Sequence, residues 1–137
     1  MPSQKRQFGD KGEEAAVNYL KDSGYKIVER NYSVPKYGEI DIIAAKIEGK
    51  LFAKTAVLVF AEVKTIKGDG SSLSAALAAQ NVHYHKQQRL IRTAKIYIRE
   101  KKIPPATLWR IDVILVILNE AGGLVKIDHL ESAVWGR

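Results

Sequence analysis

Four charged residues interrupt two apolar stretches of this chain. Glu39 and Asp41 lie in Gly38-Glu39-Ile40-Asp41-Ile42-Ile43-Ala44, and Glu62 and Lys64 lie in Val57-Leu58-Val59-Phe60-Ala61-Glu62-Val63-Lys64. Carboxylates delivered from two neighbouring strands are the hard oxygen ligands that Mg²⁺ prefers, with coordination positions left for water and a substrate phosphate. An ammonium two residues beyond one ligand can orient that water or stabilise developing charge. The competing account is a half-exposed sheet on which each charge faces solvent, with Glu62 and Lys64 a surface pair worth little. Taking an unpaired charge out of water is costly, so two apolar strands that both carry carboxylates favour a site.

The elements that must position these groups follow from local pattern. The aliphatic and β-branched content of both stretches predicts strands. Alternation then puts Glu39 and Asp41 on one face, Ile40 and Ile42 on the other, and Glu62 and Lys64 together on their own strand. A connection from Ala45 to Ala56 is short enough to make the two strands antiparallel neighbours. Before them, Ala16, Val17 and Leu20 mark a helix from about Asp10 to Asp22, stopped by Ser23-Gly24. Glu13 shares the apolar face of that helix and has two readings, as a partner of Asp10 in a capping box or as an additional acid reaching the strand cluster. Residues Tyr25 to Tyr32 read as a strand ended by Pro35, with Lys36-Tyr37-Gly38 as the turn into the acidic strand. Thr65 to Ser72 reads as a polar loop at the rim of the site. A helix is expected from about Ser74 to Arg99, with Leu90, Ile91, Ala94 and Ile98 on its apolar stripe and Arg89, Arg92, Lys95 and Arg99 along another side. That basic stripe suits a nucleic-acid backbone. Pro104-Pro105 separates it from a buried strand, Trp109 to Leu118, at whose start Arg110 and Asp112 share a face and pair. Leu124 to Ile127 completes the sheet. Helix, three strands, helix, strand, strand makes an α/β sandwich around a mixed sheet.

Length and charge bound the function. The 137 residues suit one domain, 1–137, with 1–7 as a flexible basic terminus. Lys and Arg number 22 against 15 Asp and Glu, a formal charge of +7 that favours a polyanionic partner, nucleic acid before others. The absence of cysteine excludes disulfides, thiolate catalysis and thiolate zinc sites, and fits a reducing cytoplasm. No apolar run reaches membrane length and the start has no signal-peptide core, so no membrane role is expected. His83 and His85 fall on different helical faces and His129 is far away in sequence, which argues against a histidine metal site.

An aspartate in one strand followed by Glu-x-Lys in the next resembles the PD-(D/E)XK, or restriction-endonuclease-like, nuclease superfamily. The longer wording, GYKIVERNY, GEIDIIA and VFAEVKT, is similar to the YraN-type family. Phe8-Gly9-x-x-Gly12-Glu13-x-x-Ala16, Lys86, Arg89 and Arg110-Ile111-Asp112-Val113 carry the likeness over almost the whole chain. An arginine that many relatives place close behind Glu-x-Lys is replaced here by Ile66-Lys67. The resemblance implies a restriction-endonuclease-like fold and a Mg²⁺- or Mn²⁺-dependent endonuclease that hydrolyses phosphodiester bonds in DNA, at branched or structured sites. It implies Asp41 and Glu62 as metal ligands and Lys64 as the residue orienting water. On this reading Glu39 and Glu13 would be auxiliary acids, and Lys86 would join Arg89 and Arg92 in holding nucleic acid. A homodimer could cut both strands of a duplex, and the sequence leaves open whether one is needed. Two other readings stay open: a nucleic-acid-binding adaptor that keeps the fold with little turnover, and a protein-interaction subunit with a vestigial acidic patch.

Overall fold

A computed structural model describes residues 3–49, 51, 54–70 and 84–133. Helix α1 spans Gln4–Asp22. It starts one and a half turns earlier than its apolar residues predict, because Ser3 caps it: the Ser3 side chain accepts from the Arg6 N–H at 3.1 Å. Residues 4–7 are therefore helical, not a flexible terminus. Its end is as expected, with the N–H groups of Ser23, Gly24 and Tyr25 folding back on carbonyls of the last turn.

Strands β1 (Lys26–Val34), β2 (Gly38–Glu48), β3 (Thr55–Lys67), β4 (Leu108–Leu118) and β5 (Leu124–Leu130) form one sheet in chain order. β1, β2 and β3 run antiparallel to one another, β3 and β4 are parallel, and β5 returns antiparallel. The sheet is mixed, and the fold is α/β with helices on both faces, as the element order predicts. A parallel pair needs a long crossover. Helix α2, Tyr84–Glu100, lies in the β3 to β4 connection, and the expected start of a helix at Ser74 falls outside the described residues.

β3 is longer than predicted. Thr65, Ile66 and Lys67 pair with Val116, Ile117 and Leu118, so they are strand and not rim loop. The apolar face of β4 explains this, since Ile66 packs with Val113, Leu115 and Ile117.

Two cores lie on opposite faces of the sheet. Ala16, Val17 and Leu20 of α1 pack on Ile42, Ala44, Val59, Ala61 and Ile114. Leu90, Ile91, Ala94 and Tyr97 of α2 pack on Ile40, Ile43, Leu58, Phe60 and Ile111. Burying these side chains is the main stabilisation, the valines, leucines, isoleucines and Phe60 each worth about 1.5–3 kcal/mol. The clusters also correct one expectation. Ile40 and Ile42 do not share a face, because Ile40 joins the α2 core and Ile42 the α1 core. Strict alternation breaks between them, at Asp41.

Candidate functional site

The break at Asp41 is where β2 parts from β3. Their pairing runs from Glu48↔Thr55 to Ile42↔Ala61. Beyond that point the Asp41 carboxylate takes up backbone pairing, its Oδ2 accepting the Val63 N–H at 2.8 Å. Aliphatic neighbours on both faces hold the aspartate at this fork with part of its surface removed from water. Burial first, then the charges of Glu62, Glu13 and Glu39, raise its pKa from the ordinary 3.8 to about 7, against the opposing effect of the Val63 hydrogen bond. Glu62, Glu13 and Glu39, the other acids singled out in the sequence, all lie close enough to act on the Asp41 charge.

Glu62 is buried, although it belongs to a residue type almost never buried without a partner. The partner is Lys86, whose Nζ lies 2.5 Å from Glu62 Oε1 while its side chain keeps about half of its surface in solvent. Both residues, with Glu39, Asp41 and Arg89, line a cleft of about 620 Å³ between the sheet and α2. Gly38 closes one end. Its φ is +147°, and a Cβ there would stand 3.2 Å from Thr93 Oγ1 and 3.6 Å from Arg89 Cβ, so glycine lets the β1–β2 turn lie against α2.

On the opposite face, Gly12 performs the same service for α1. A Cβ at Gly12 would fall 1.8 Å from Thr65 Oγ1 and 2.7 Å from Thr65 Cβ, so only glycine allows the helix to dock on β3 at this depth. The next residue is Glu13. Its Oε1 accepts from Asn31 Nδ2 at 3.1 Å and Arg30 Nη2 at 3.3 Å. With the helix starting at Gln4, Glu13 sits in the third turn, which removes the capping-box reading with Asp10. Glu13, Glu39 and Asp41 line a second cleft, of about 600 Å³, together with Lys5, Arg6 and Asn31. Glu39 and Asp41 border both clefts and stand between them.

Other charged residues are placed as follows. Lys64 is half-buried two residues beyond Glu62 on β3, paired across the sheet with Leu115. Arg89, Arg92, Lys95 and Arg99 are exposed along α2, and the Arg92 guanidinium stands 5.5 Å from the centre of the Tyr37 ring. Arg30 is engaged by Glu13 and Glu14. Lys67, the stand-in for the family arginine, lies over the Phe8 ring at 5.6 Å and 4.0 Å from Glu120. His83 and the side chain of His85 fall outside the described residues.

Arg110 and Asp112 do pair, at 3.1 Å, but within a network that sequence spacing does not disclose. Arg110 donates to Glu48 at 2.8 Å and to the Tyr25 hydroxyl at 2.7 Å. Asp112, with no exposed surface, also accepts the Ser132 N–H at 2.9 Å and contacts His129 Nε2 at 2.7 Å, whose Nδ1 meets the Tyr19 hydroxyl at 2.9 Å. His129 is thus an interior hydrogen-bonding residue. Asn31 is a further site-lining residue missed in the sequence, where a polar residue on an edge strand carries no distinguishing signal, and Arg6 of the basic terminus lines the second cleft.

Among the described residues no three His, Asp or Glu side chains form a ready-made metal cage, and no helix is long and apolar enough to cross a membrane.

Comparison with known proteins identifies the family of this chain. UPF0102 proteins of Chloroflexus aurantiacus and Desulforamulus reducens are 39% and 35% identical over 134 residues, covering 98% of this chain and 98% and 100% of theirs. One from Clostridium botulinum is 39% identical over 130 residues, covering 93% of this chain and 94% of its own. Among solved structures, the restriction endonuclease MspJI in complex with a 27-mer oligonucleotide aligns at 19% identity over 88% of this chain and 27% of that one, with a TM-score of 0.33, too low for any argument to rest on it. The description of the uncharacterised protein family UPF0102 matches residues 12–116, and the chain belongs to that YraN-type family.

Proposed function

We propose that this protein is a Mg²⁺- or Mn²⁺-dependent endonuclease acting on DNA, with branched or otherwise structured sites as its preferred substrates. The observation that carries the reading is the cleft in which Asp41 and Glu62, from adjacent strands, face Lys86 and Arg89 from α2. Acidic groups at the floor and basic groups on the wall are what a phosphodiester and a divalent cation together require.

The donor set fits the ion. Mg²⁺ keeps several waters and is held by one or two carboxylates plus substrate phosphate, so Asp41 and Glu62 suffice without a third ligand. Burial raises the Asp41 pKa most, and the crowding of like charge that raises it further would be relieved by a cation at that place. When bound, the ion lowers the pKa of a water and neutralises phosphate charge. The chain's residues do the rest. Lys64 orients the attacking water, Glu39 and Glu13 act as auxiliary acids around Asp41, and Arg89, Arg92 and Lys86 hold the backbone.

The ion pair of Lys86 with Glu62 favours a second reading, in which the carboxylate has a permanent partner and the protein binds nucleic acid as an adaptor. Calorimetric Mn²⁺ titration, run beside cleavage of single-stranded, duplex, flap and four-way-junction DNA and an RNA control, separates the two. The nuclease reading expects binding and metal-dependent cleavage, both lost in Asp41→Asn and Glu62→Gln. Lys64→Ala should bind metal and turn over poorly. Salt-sensitive DNA binding with neither Mn²⁺ binding nor cleavage would leave the adaptor. Arg89→Glu with Arg92→Glu should weaken DNA binding and lower its salt slope by about one for each phosphate no longer neutralised.

A further inference from the structure

The Lys86–Glu62 pair has an energetic consequence for any cation that enters the cleft. Glu62 is buried on β3, with little of its surface in water, and its carboxylate lines the cleft. Lys86 differs, since its side chain is about half exposed and reaches Glu62 from the neighbouring helix through a flexible four-carbon stem. One partner of the pair is fixed and the other is free to leave. Asp41, beside them in the same cleft, bears the repulsion of Glu62, Glu13 and Glu39.

We propose that Lys86 is a displaceable counter-ion: it neutralises Glu62 in the metal-free protein, competes with the divalent cation for that carboxylate, and on release swings outward beside Arg89 to meet a nucleic-acid phosphate. The inference rests on the nuclease reading and deepens it, by making metal entry and phosphate capture two positions of one side chain. A dication and an ammonium at hydrogen-bond distance from one carboxylate repel each other, and that repulsion is strongest where water is excluded. Release is favoured further when a phosphate offers the ammonium a new partner at the cleft wall, where Arg89 already stands. Lys86 is thus a positioning residue in the metal-free state and a phosphate-binding residue in the substrate complex. The arrangement also explains how a buried glutamate is tolerated before metal arrives, since a buried carboxylate without a partner would destabilise the sheet.

The direction of the effect distinguishes this role from a structural one. If Lys86 merely held Glu62 in place, removing it would weaken metal binding. Competition predicts the reverse. Mn²⁺ titration of the full chain should show Lys86→Met binding about tenfold tighter than wild type, a change of about 1.4 kcal/mol, while Lys86→Arg, which keeps a cation, stays within a few-fold of wild type on the same scale. In the wild-type chain, acylation of Lys86 by an amine-reactive reagent, followed by mass spectrometry, should accelerate when Mn²⁺ is added, with Lys95 as the exposed internal control. Affinity for a DNA strand, measured in the presence of Mn²⁺, should fall in Lys86→Met. Equal or weaker Mn²⁺ binding by a folded Lys86→Met, or a Lys86 acylation rate indifferent to Mn²⁺, overturns the proposal and leaves the metal site standing. If neither wild type nor Lys86→Met binds Mn²⁺, the metal reading falls with it.

Discussion

Two clusters of charge lie on this sheet, and they are built on opposite principles. In the Arg110 network every group has its complement: Asp112 faces Arg110, His129 and a backbone N–H, and Arg110 faces Asp112, Glu48 and the Tyr25 hydroxyl. The cluster is satisfied and shut in by packing. Around Asp41 three further carboxylates gather, and the aspartate's proton affinity rises first through burial and then because Glu62, Glu13 and Glu39 all push the same way. Such a cluster is kept at a cost to stability, opens on two clefts, and borders the basic residues of α2 and the start of α1. Balance marks a structural device, and like charges gathered on a half-buried carboxylate at an open cleft are the feature on which the proposed cation site rests.

The sharpest way to break this contrast is at the balanced cluster. Asp112→Ala leaves the buried Arg110 guanidinium without its central carboxylate and should cost about 3–5 kcal/mol, the usual penalty for removing one side of a buried pair. Denaturant unfolding measures it. Mn²⁺ affinity of the folded fraction should be unchanged, and a loss of metal binding equal to that of Asp41→Asn would erase the distinction between the clusters.

At the imbalanced cluster the sign is opposite. The Asp41 pKa is raised in the folded state to about 7 from 3.8, so folding favours its protonated form. The associated stability is present below the unfolded value and is lost as pH rises from about 4 through 7. At about 1.4 kcal/mol per pH unit the loss is on the order of a few kcal/mol in the metal-free protein. Asp41→Asn should flatten this decline and be the more stable chain at pH 8 without metal, while Mg²⁺ should raise the wild-type Tm more at pH 8 than at pH 5. Melting curves at both pH values test the sign, and an Asp41→Asn chain less stable than wild type at pH 8 would contradict it.

A smaller effect tests how α1 is docked. Gly12→Ala places a methyl on Thr65 and should cost about 1–3 kcal/mol by overpacking, with metal affinity reduced because Glu13 retreats with the helix. Adding Thr65→Ala should recover part of the loss, since the nearest clash, at 1.8 Å, is with the Thr65 hydroxyl. No recovery in the double variant would place the strain elsewhere.

The least change in stability is expected from Glu13→Gln, which keeps an oxygen to accept from Arg30 and Asn31 and removes one of the charges acting on Asp41. Its Tm should move little while Mn²⁺ affinity falls and the apparent pKa of Asp41, followed by carboxyl NMR, moves down. A purely thermal effect would assign Glu13 to structure alone.

Local pattern in the chain was enough to order helix, three strands, helix, strand, strand, to make β2 and β3 antiparallel neighbours, and to pair Arg110 with Asp112. These depend on side-chain periodicity and on groups a few residues or one short connection apart, which sequence carries directly. Alternation also put Glu39 and Asp41 together, but it failed between Ile40 and Ile42, because alternation assumes a continuous ladder and β2 leaves β3 at that point. The start of α1 was misplaced for a similar reason: residues 4–7 have no apolar partner to announce them, and a serine cap sets where they begin. Between Glu13 as cap and Glu13 as neighbour of Asp41, only the tertiary structure could decide, since the answer depends on the depth to which Gly12 lets α1 sink against Thr65. The meeting of Lys86 with Glu62, 24 residues away in the chain, and of Tyr19 with His129, 110 away, likewise follows from helices packing on opposite faces of a sheet, a long-range outcome that local spacing does not encode.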